Sequence, residues 1–494
     1  MKNFVKRGTI EMIHTNALLT DFYELTMMAG YLDQGKVEDT ATFDLYFRRN
    51  PYGGGYAVAA GLENAISTIL EMRFSNDDIQ YLRSLRSPRG KQTFPDAFLN
   101  YLSRWCFSGE ISAVPEGTIV FSHEPLMRVR GRIIECQLIE SVLLCHINFQ
   151  TLIATKAARI WEAARRAPVL EFGLRRAQGP DGAISAARAA MIGGADATSN
   201  VLGSANLNIP ARGTHAHSWI QSFETELEAF RAYAKLFPDE CVLLVDTYDT
   251  LRSGIPNAIK IGMELRDAGH RLAGIRIDSG DLTFLSRKAR RALDAAGLDY
   301  VKIIASNDLD EYIIGDVLAQ GGEIDIWGVG TRLVTGAGEG GGALGGVYKL
   351  AEYNGRPRIK ISSNLEKMTN PGVKKIVRFY DMEGLMEADA LAEESEDITT
   401  GEVLIIDPGN PLRRTTIRSE RRVELLIPVV ASGEPVYEFP SLERIRAHRR
   451  NQLTELHESY KRLTNPHEYK VGLTQKLWGL KKQMINAVST FNGR

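Results

Sequence analysis

Three short segments of this chain carry side chains able to do chemistry. In Gly213-Thr-His-Ala-His-Ser218, two histidines stand two residues apart among small neighbours, after Asn206-Leu-Asn-Ile-Pro210 and ahead of a helix predicted to start near Ser222. An imidazole so placed is a neutral nucleophile near neutral pH, suited to proton or phosphoryl transfer. His-x-His is also a metal-ligand spacing, but barrel hydrolases that use it add histidines at later strand ends, and none occurs there. The second segment is Arg276-Ile-Asp-Ser-Gly-Asp281. Strand alternation puts Arg276 and Asp278 on one face, while Ser279 and Gly280 present backbone N–H groups at a helix start. That corner suits an anion with its divalent cation, or else a structural ion-pair network. The third segment, Trp327-Gly-Val-Gly-Thr-Arg332, has glycines that let backbone approach phosphate oxygens, with Thr331 and Arg332 as extra donors. Gly-x-Gly turns are common, so its weight comes from its place after a strand.

These segments need elements to position them. Between Val169 and Gly330 short apolar runs alternate with helical stretches at the period of a βα unit. The strands predicted are Val169–Phe172, Ala195–Thr198, Val242–Asp246, Ala273–Asp278, Val301–Ala305 and Ile324–Trp327. Helices Asn257–Ala268 and Leu282–Ala296 should close at Gly269 and Gly297. Strand after helix after strand implies a parallel sheet, as a barrel or doubly wound. Catalytic groups of such folds sit at the carboxyl ends of strands, and those ends carry Glu171, Asp196, Asp246, Arg276, Asp278, Ser306 and Asn307. The first 150 residues read as a separate α+β unit with strands Ala41–Phe47 and Gly117–Phe121. Past the glycine-rich stretch Gly336–Gly346, strands return at Gly346–Leu350 and Lys374–Tyr380. The acidic run Glu387–Asp397 reads as solvated surface and Ser441–Leu463 as a charged helix.

At 494 residues the chain exceeds one compact core. Sixty basic against 61 acidic residues give no general reason to bind nucleic acid or anionic membrane, so any anion needs a built site. No run approaches the length of a membrane span. Cys106, Cys136, Cys145 and Cys241 lack a CxxC pair and read as buried thiols of a reducing, cytoplasmic compartment.

Taken together, these segments resemble the nicotinate phosphoribosyltransferase family. The resemblance spans nearly the whole chain. It rests on Thr20-Asp-Phe-Tyr-Glu-Leu-Thr-Met27, Glu171-Phe-Gly-Leu-Arg-Arg176, Gly193-Gly-Ala-Asp-Ala-Thr-Ser-Asn200, Gly213–Ser218, Val245-Asp-Thr-Tyr-Asp249, Arg276–Asp281, Ala305-Ser-Asn-Asp308, Gly328-Val-Gly-Thr331 and Asn465-Pro-His-Glu-Tyr-Lys-Val-Gly472. It implies condensation of nicotinate with 5-phosphoribosyl 1-pyrophosphate to nicotinate mononucleotide and pyrophosphate, coupled to ATP hydrolysis with Mg2+. The phosphate-accepting histidine of the motif Gly-Thr-x-Ala-His falls on His217, and His215 falls on the variable position. The resemblance further implies an irregular or partly open α/β barrel of the TIM type at 151–345, flanked by an N-terminal α+β domain at 1–150. The segment 346–494 should partly complete that domain as a sandwich. A homodimer with shared sites is implied too.

By the same resemblance Asp278, and Asp246 as a second candidate, would meet magnesium or the ribose, and Arg276 the phosphate or the nicotinate carboxylate. Gly330 and Thr331 would cup the 5′-phosphate, with Ser306 and Asn307 nearby. Phe172 and Tyr23 resemble the aromatic pair that sandwiches the pyridine, the tyrosine coming from a neighbouring subunit. Arg175 and Asp196 match pocket-lining positions, and Lys349 and Lys360 look like phosphate or nucleotide contacts. Two rival readings are nicotinamide phosphoribosyltransferase and a barrel that binds phosphorylated metabolites without catalysis.

Overall fold

The computed structural model describes residues 17–364 and 367–491. Two compact units divide the chain, residues 156–338 in one and 17–155 with 339–491 in the other.

The unit formed by residues 156–338 is built on the predicted strands. They are β1 (Val169–Glu171), β2 (Ala197–Thr198), β3 (Val242–Leu244), β4 (Gly274–Ile277), β5 (Lys302–Ala305) and β6 (Ile326–Val329), in the order β2-β1-β6-β5-β4-β3. Every neighbouring pair is parallel. Val169, Leu243, Leu244, Ile275, Ile277, Ile303, Trp327 and Val329 are fully buried, the continuous apolar reading expected of strands covered on both faces. The outermost strands β2 and β3 do not pair with each other, so the described residues form an open six-stranded half-barrel and not a closed TIM-type ring.

Among the helices between the strands are α1 (His217–Gln221), α2 (Glu226–Leu236), α3 (Ile255–Asp267), α4 (Leu282–Ala295) and α5 (Glu311–Ala319), and α6 (Thr331–Val334) follows β6. Gly269 (φ +85°) and Gly297 (φ +71°) take the left-handed conformation that stops α3 and α4, as predicted. The helix expected near Ser222 begins earlier, because His217 already opens the one-turn α1; α2 then starts behind a capping box of Thr225 and Glu228. Glu311, the first residue of α5, is fully buried between Lys156 (2.6 Å) and Arg159 (2.9 Å), both on the helix Glu140–Ala163.

The other unit contains two larger sheets. One joins Thr40–Phe47 to Gly346–Tyr353 and Met127–Arg132 on either side, all antiparallel. The second pairs Lys374–Tyr380 with Met386–Glu393. The acidic run is therefore no solvated surface up to Glu393: Ala388, Asp389, Ala390, Leu391 and Ala392 are buried. Asp389 is neutralised by Arg378 directly opposite it, at 2.5 Å, which makes a strand of a segment whose charge suggested solvent. The single helix expected over Ser441–Leu463 is two: Ser441 caps Leu442–Glu455, and a second short helix follows at Glu458–Lys461. All four cysteines are free; Cys136 and Cys241 are buried, but Cys106 and Cys145 are exposed, contrary to the expectation of buried thiols. Among the described residues no helix is long and apolar enough to cross a membrane.

Candidate active site

The carboxyl edge of the parallel sheet gathers most of the predicted residues. Asp246 and Thr247 follow β3, Asp278 and Ser279 follow β4, Ser306 and Asn307 follow β5, and Gly330 and Thr331 follow β6. His217 reaches this edge as the first residue of α1. Its Nδ1 lies 3.0 Å from Thr247 Oγ1, and its Nε2 lies 3.8 Å from Asp278 Oδ2. The ring is 40 % exposed, so the imidazole is held yet accessible.

Arg276 and Asp278 do share a face. The Arg276 Nη2 atom stands 3.5 Å from Asp278 Oδ1, while its Nε donates to Ser306 Oγ (2.9 Å) and its Nη1 to Thr214 Oγ1 (2.6 Å). Ser306 in turn donates to Asp278 Oδ1, leaving Oδ2 as the oxygen that faces His217. Asp246 works from behind: its Oδ2 accepts from the Asp278 N–H (2.8 Å) and the Ser279 hydroxyl (2.6 Å). Its Oδ1 is buried without a partner. Asn307 has φ +122°, a costly conformation for a side-chain-bearing residue, directly beside the cluster.

The aromatic side of the site is Phe172, whose ring lies under the Arg276 guanidinium with 6.0 Å between guanidinium carbon and ring centroid. Its backbone N–H donates to Val329 O (2.9 Å), which ties it to the end of β6. Gly328 makes room for the ring, since a Cβ there would fall 2.8 Å from two of its carbons. Glu171 is buried just before Phe172 and accepts from Thr198 and the Gly173 N–H; burial pushes its carboxyl above the usual range. It fixes the turn that presents Phe172.

His215 has a structural part. It is 7 % exposed, packs edge-on against Tyr233, and accepts the Leu244 N–H at Nε2 (3.3 Å). Burial pushes its imidazole down to about 4, so it is neutral and bonds the loop to β3. That bond holds its neighbour His217 near Thr247.

Several predicted residues lie apart from the cluster. Asp196 precedes β2, and its carboxylate accepts the Val169 N–H (3.0 Å) at the amino end of β1, the edge opposite the cluster. Arg175 is exposed on the turn Leu174–Arg176. Tyr23, Lys349 and Lys360 belong to the other unit. There Tyr23 is 46 % exposed on the helix Phe22–Asp33, while burial pushes the Lys349 ammonium below its ordinary range. Arg48 and Lys360 add to that depression, so these three cations lie near one another. Thr214 and Thr247, which hold Arg276 and His217, were missed from sequence; Thr247 was signalled by its place directly after a strand-end aspartate.

The donor set of Asp246, Asp278 and Ser279 is all oxygen, as a hard divalent cation prefers, and the orphaned Asp246 Oδ1 marks a buried acceptor still to be satisfied. Among the described residues no group of three or more His, Cys, Asp or Glu forms a protein-only metal cage. A cation here would complete its shell with substrate oxygens and water.

An accessible imidazole, a carboxylate pair and a guanidinium over an aromatic ring, all at the carboxyl edge of parallel strands, are a set suited to an α/β enzyme of anionic substrates. Family models agree on which one. The nicotinate phosphoribosyltransferase N-terminal domain matches residues 18–148, the family proper 168–384 and its C-terminal domain 373–481. Nicotinate phosphoribosyltransferase of Bacillus subtilis is 43 % identical over 480 residues, covering 96 % of both chains. The Homo sapiens protein of that name is 34 % identical, covering 94 % of this chain and 95 % of its own. A crystal structure of human nicotinic acid phosphoribosyltransferase superposes with a TM-score of 0.83 at 32 % identity, over 94 % of this chain and 99 % of that one. The chain belongs to the nicotinate phosphoribosyltransferase family and is an enzyme of this type.

Proposed function

We propose that the chain joins nicotinate to 5-phosphoribosyl 1-pyrophosphate, giving nicotinate mononucleotide and pyrophosphate, and that ATP drives the reaction by phosphorylating His217. The pyridine nitrogen lone pair forms the new bond to ribose C1 as the C1–O bond breaks, and its electron pair departs on pyrophosphate. Positive charge grows on the sugar and negative charge on the leaving group, so the work of the site is positioning and charge stabilisation. Arg276 and the backbone N–H groups of Gly330 and Thr331 supply positive ends for phosphate oxygens. Ser306 and Asn307 flank the ribose, Phe172 stacks on the pyridine, and Arg175 joins the pocket by family likeness, whereas Asp196, at the opposite edge of the sheet, is left out of it. Magnesium, held by Asp278 and Asp246 with substrate oxygens, would neutralise pyrophosphate charge when bound.

The observation that carries the coupling is the accessible His217 ring, fixed by Thr247 at one nitrogen and facing Asp278 with the other. In that step a ring-nitrogen lone pair takes the terminal phosphoryl group of ATP, and the broken P–O bond leaves its pair on ADP. We read the half-barrel as an irregular relative of the TIM barrel, and the enzyme as a cytoplasmic homodimer whose Tyr23 serves the neighbouring site. Leu19, Phe22, Tyr23 and Met27, four large apolar side chains exposed within nine residues of chain, support that pairing. Lys349 and Lys360 then serve phosphate from the same unit.

Mass spectrometry of the intact protein after incubation with Mg-ATP is the test. One phosphoryl group mapped to His217, released when nicotinate and phosphoribosyl pyrophosphate are added, is expected. Phosphorylation elsewhere, or unchanged ATP coupling in His217→Ala, would overturn the coupling. Assay with nicotinamide in place of nicotinate should give far slower turnover.

A further inference from the structure

Glu140 joins two residues assigned to substrate. It is the first residue of the helix Glu140–Ala163, its side chain is 13 % exposed, and its Oε1 lies 3.9 Å from Lys349 Nζ. Its carboxylate also accepts from the Tyr23 hydroxyl and from Gln137 Nε2 (3.1 Å). We propose that Glu140 is a positioning residue of the substrate site, aiming the Tyr23 ring through its hydroxyl and holding the charge of the Lys349 ammonium through the same carboxylate. This rests on the reading of Tyr23 as a base contact and Lys349 as a phosphate contact.

The charges around the pair give the reason. Lys349 faces two cations, Arg48 and Lys360, and one carboxylate, Glu140; its remaining bond is donated to the Tyr348 carbonyl (2.7 Å). Burial and both cations favour loss of its proton, and Glu140 alone opposes them. A neutral amine would be a poor phosphate ligand, so the carboxylate maintains the binding form without contacting substrate. On the tyrosine side, Tyr23 faces Glu140, Glu24 and Asp21, and of these Glu140 takes its hydroxyl. Glu24 is occupied by Thr20 and by Ser141 Oγ (2.9 Å), and Ser141 Oγ also lies 3.0 Å from Asp21. A ring left 46 % exposed thus has its outer end tethered, which lowers the entropy lost when it stacks on a ligand.

Steady-state kinetics of the full chain against pH, for Glu140→Gln and Glu140→Leu, separates the two parts. Glutamine keeps an acceptor for the tyrosine but removes the charge. The KM for nicotinate should stay within about twofold, while the alkaline limb of kcat/KM for phosphoribosyl pyrophosphate moves down by about one pH unit. Leucine removes both, adding a severalfold rise in nicotinate KM to the same alkaline shift. Glu140→Asp, which keeps the charge one methylene further back, should restore most of the alkaline limb and stands in if the leucine variant does not fold. An alkaline limb unmoved in Glu140→Gln overturns the proposal, and so does equal nicotinate KM in the Gln and Leu variants. Lys349→Met and Tyr23→Leu distinguish the sources of failure: if they leave both KM values alone, the substrate assignments fall, and if they raise them while the Glu140 variants do nothing, only the role of Glu140 falls.

Discussion

Asp246 holds Asp278 by its backbone: the Oδ2 of the first accepts the N–H of the second at 2.8 Å. The pair therefore divides its labour, Asp246 shaping the corner and Asp278 presenting an oxygen toward His217. Asp246→Asn replaces an acceptor of two charge-assisted bonds by an amide that can satisfy the same donors only weakly. The corner should loosen by a fraction of an ångström, and kcat/KM should fall about a hundredfold with the fold intact. Circular dichroism beside steady-state kinetics checks this, and an active Asp246→Asn enzyme would remove Asp246 from the machinery.

Gly328 is required by the Phe172 ring. A methyl at Gly328 would sit 2.8 Å from ring carbons Cδ2 and Cε2, inside any real contact, so Gly328→Ala must push the ring off its place under Arg276. Overpacking of this kind costs about 1–3 kcal/mol of stability. The nicotinate KM should rise about tenfold, one factor of ten for each 1.4 kcal/mol of lost stacking and alignment, while the KM for phosphoribosyl pyrophosphate changes little. Equal effects on both substrates would mean that Phe172 does not face the base.

Thr247 orients the imidazole. With Nδ1 engaged at 3.0 Å, the ring of His217 cannot turn away from Asp278. Thr247→Val keeps shape and loses the bond; the rate of phosphorylation by ATP should drop about tenfold to a hundredfold, and Thr247→Ser should recover most of it. Rapid-quench measurement of phosphoenzyme formation decides, and a valine variant as fast as wild type refutes the assignment.

Much of this site was legible because strand ends announce themselves. Asp246, Asp278, Ser306 and Asn307 each stand where an apolar run stops, and all four meet at the carboxyl edge. Asp196 obeys the same pattern and lies at the opposite edge, because its strand begins after it: the run Ala195–Thr198 pairs only from Ala197 onward. Pattern gives a strand but not its first residue. The buried strand Met386–Glu393 was hidden for a different reason, since the arginine that neutralises Asp389 sits on the partner strand, outside any local window. Ring closure was illegible too, for it depends on whether β2 and β3 meet, a long-range relation that βα periodicity does not encode.

The last prediction concerns pH. Glu24 is fully buried, and burial pushes its carboxyl from an ordinary 4.5 up to about 7, although Thr20 and Ser141 hydrogen bonds pull the other way. A carboxyl raised in the folded state favours the protonated fold. Its stabilising effect is complete below about 4.5, where the unfolded group is also protonated, and is lost as pH rises through about 7. The interval corresponds to roughly 3 kcal/mol at full ionisation. Glu24→Gln keeps an acceptor for both hydroxyls and cannot ionise, so the variant should match wild type near pH 4 and exceed it by about 3 kcal/mol near pH 8 in urea denaturation. Glu140 and Tyr23 are raised as well, so wild type alone would blend several titrations, whereas the difference between the two proteins isolates Glu24. A difference that does not grow between those two pH values would show that Glu24 is already ionised in its buried place, with its negative charge balanced by the surrounding helix and hydroxyl donors.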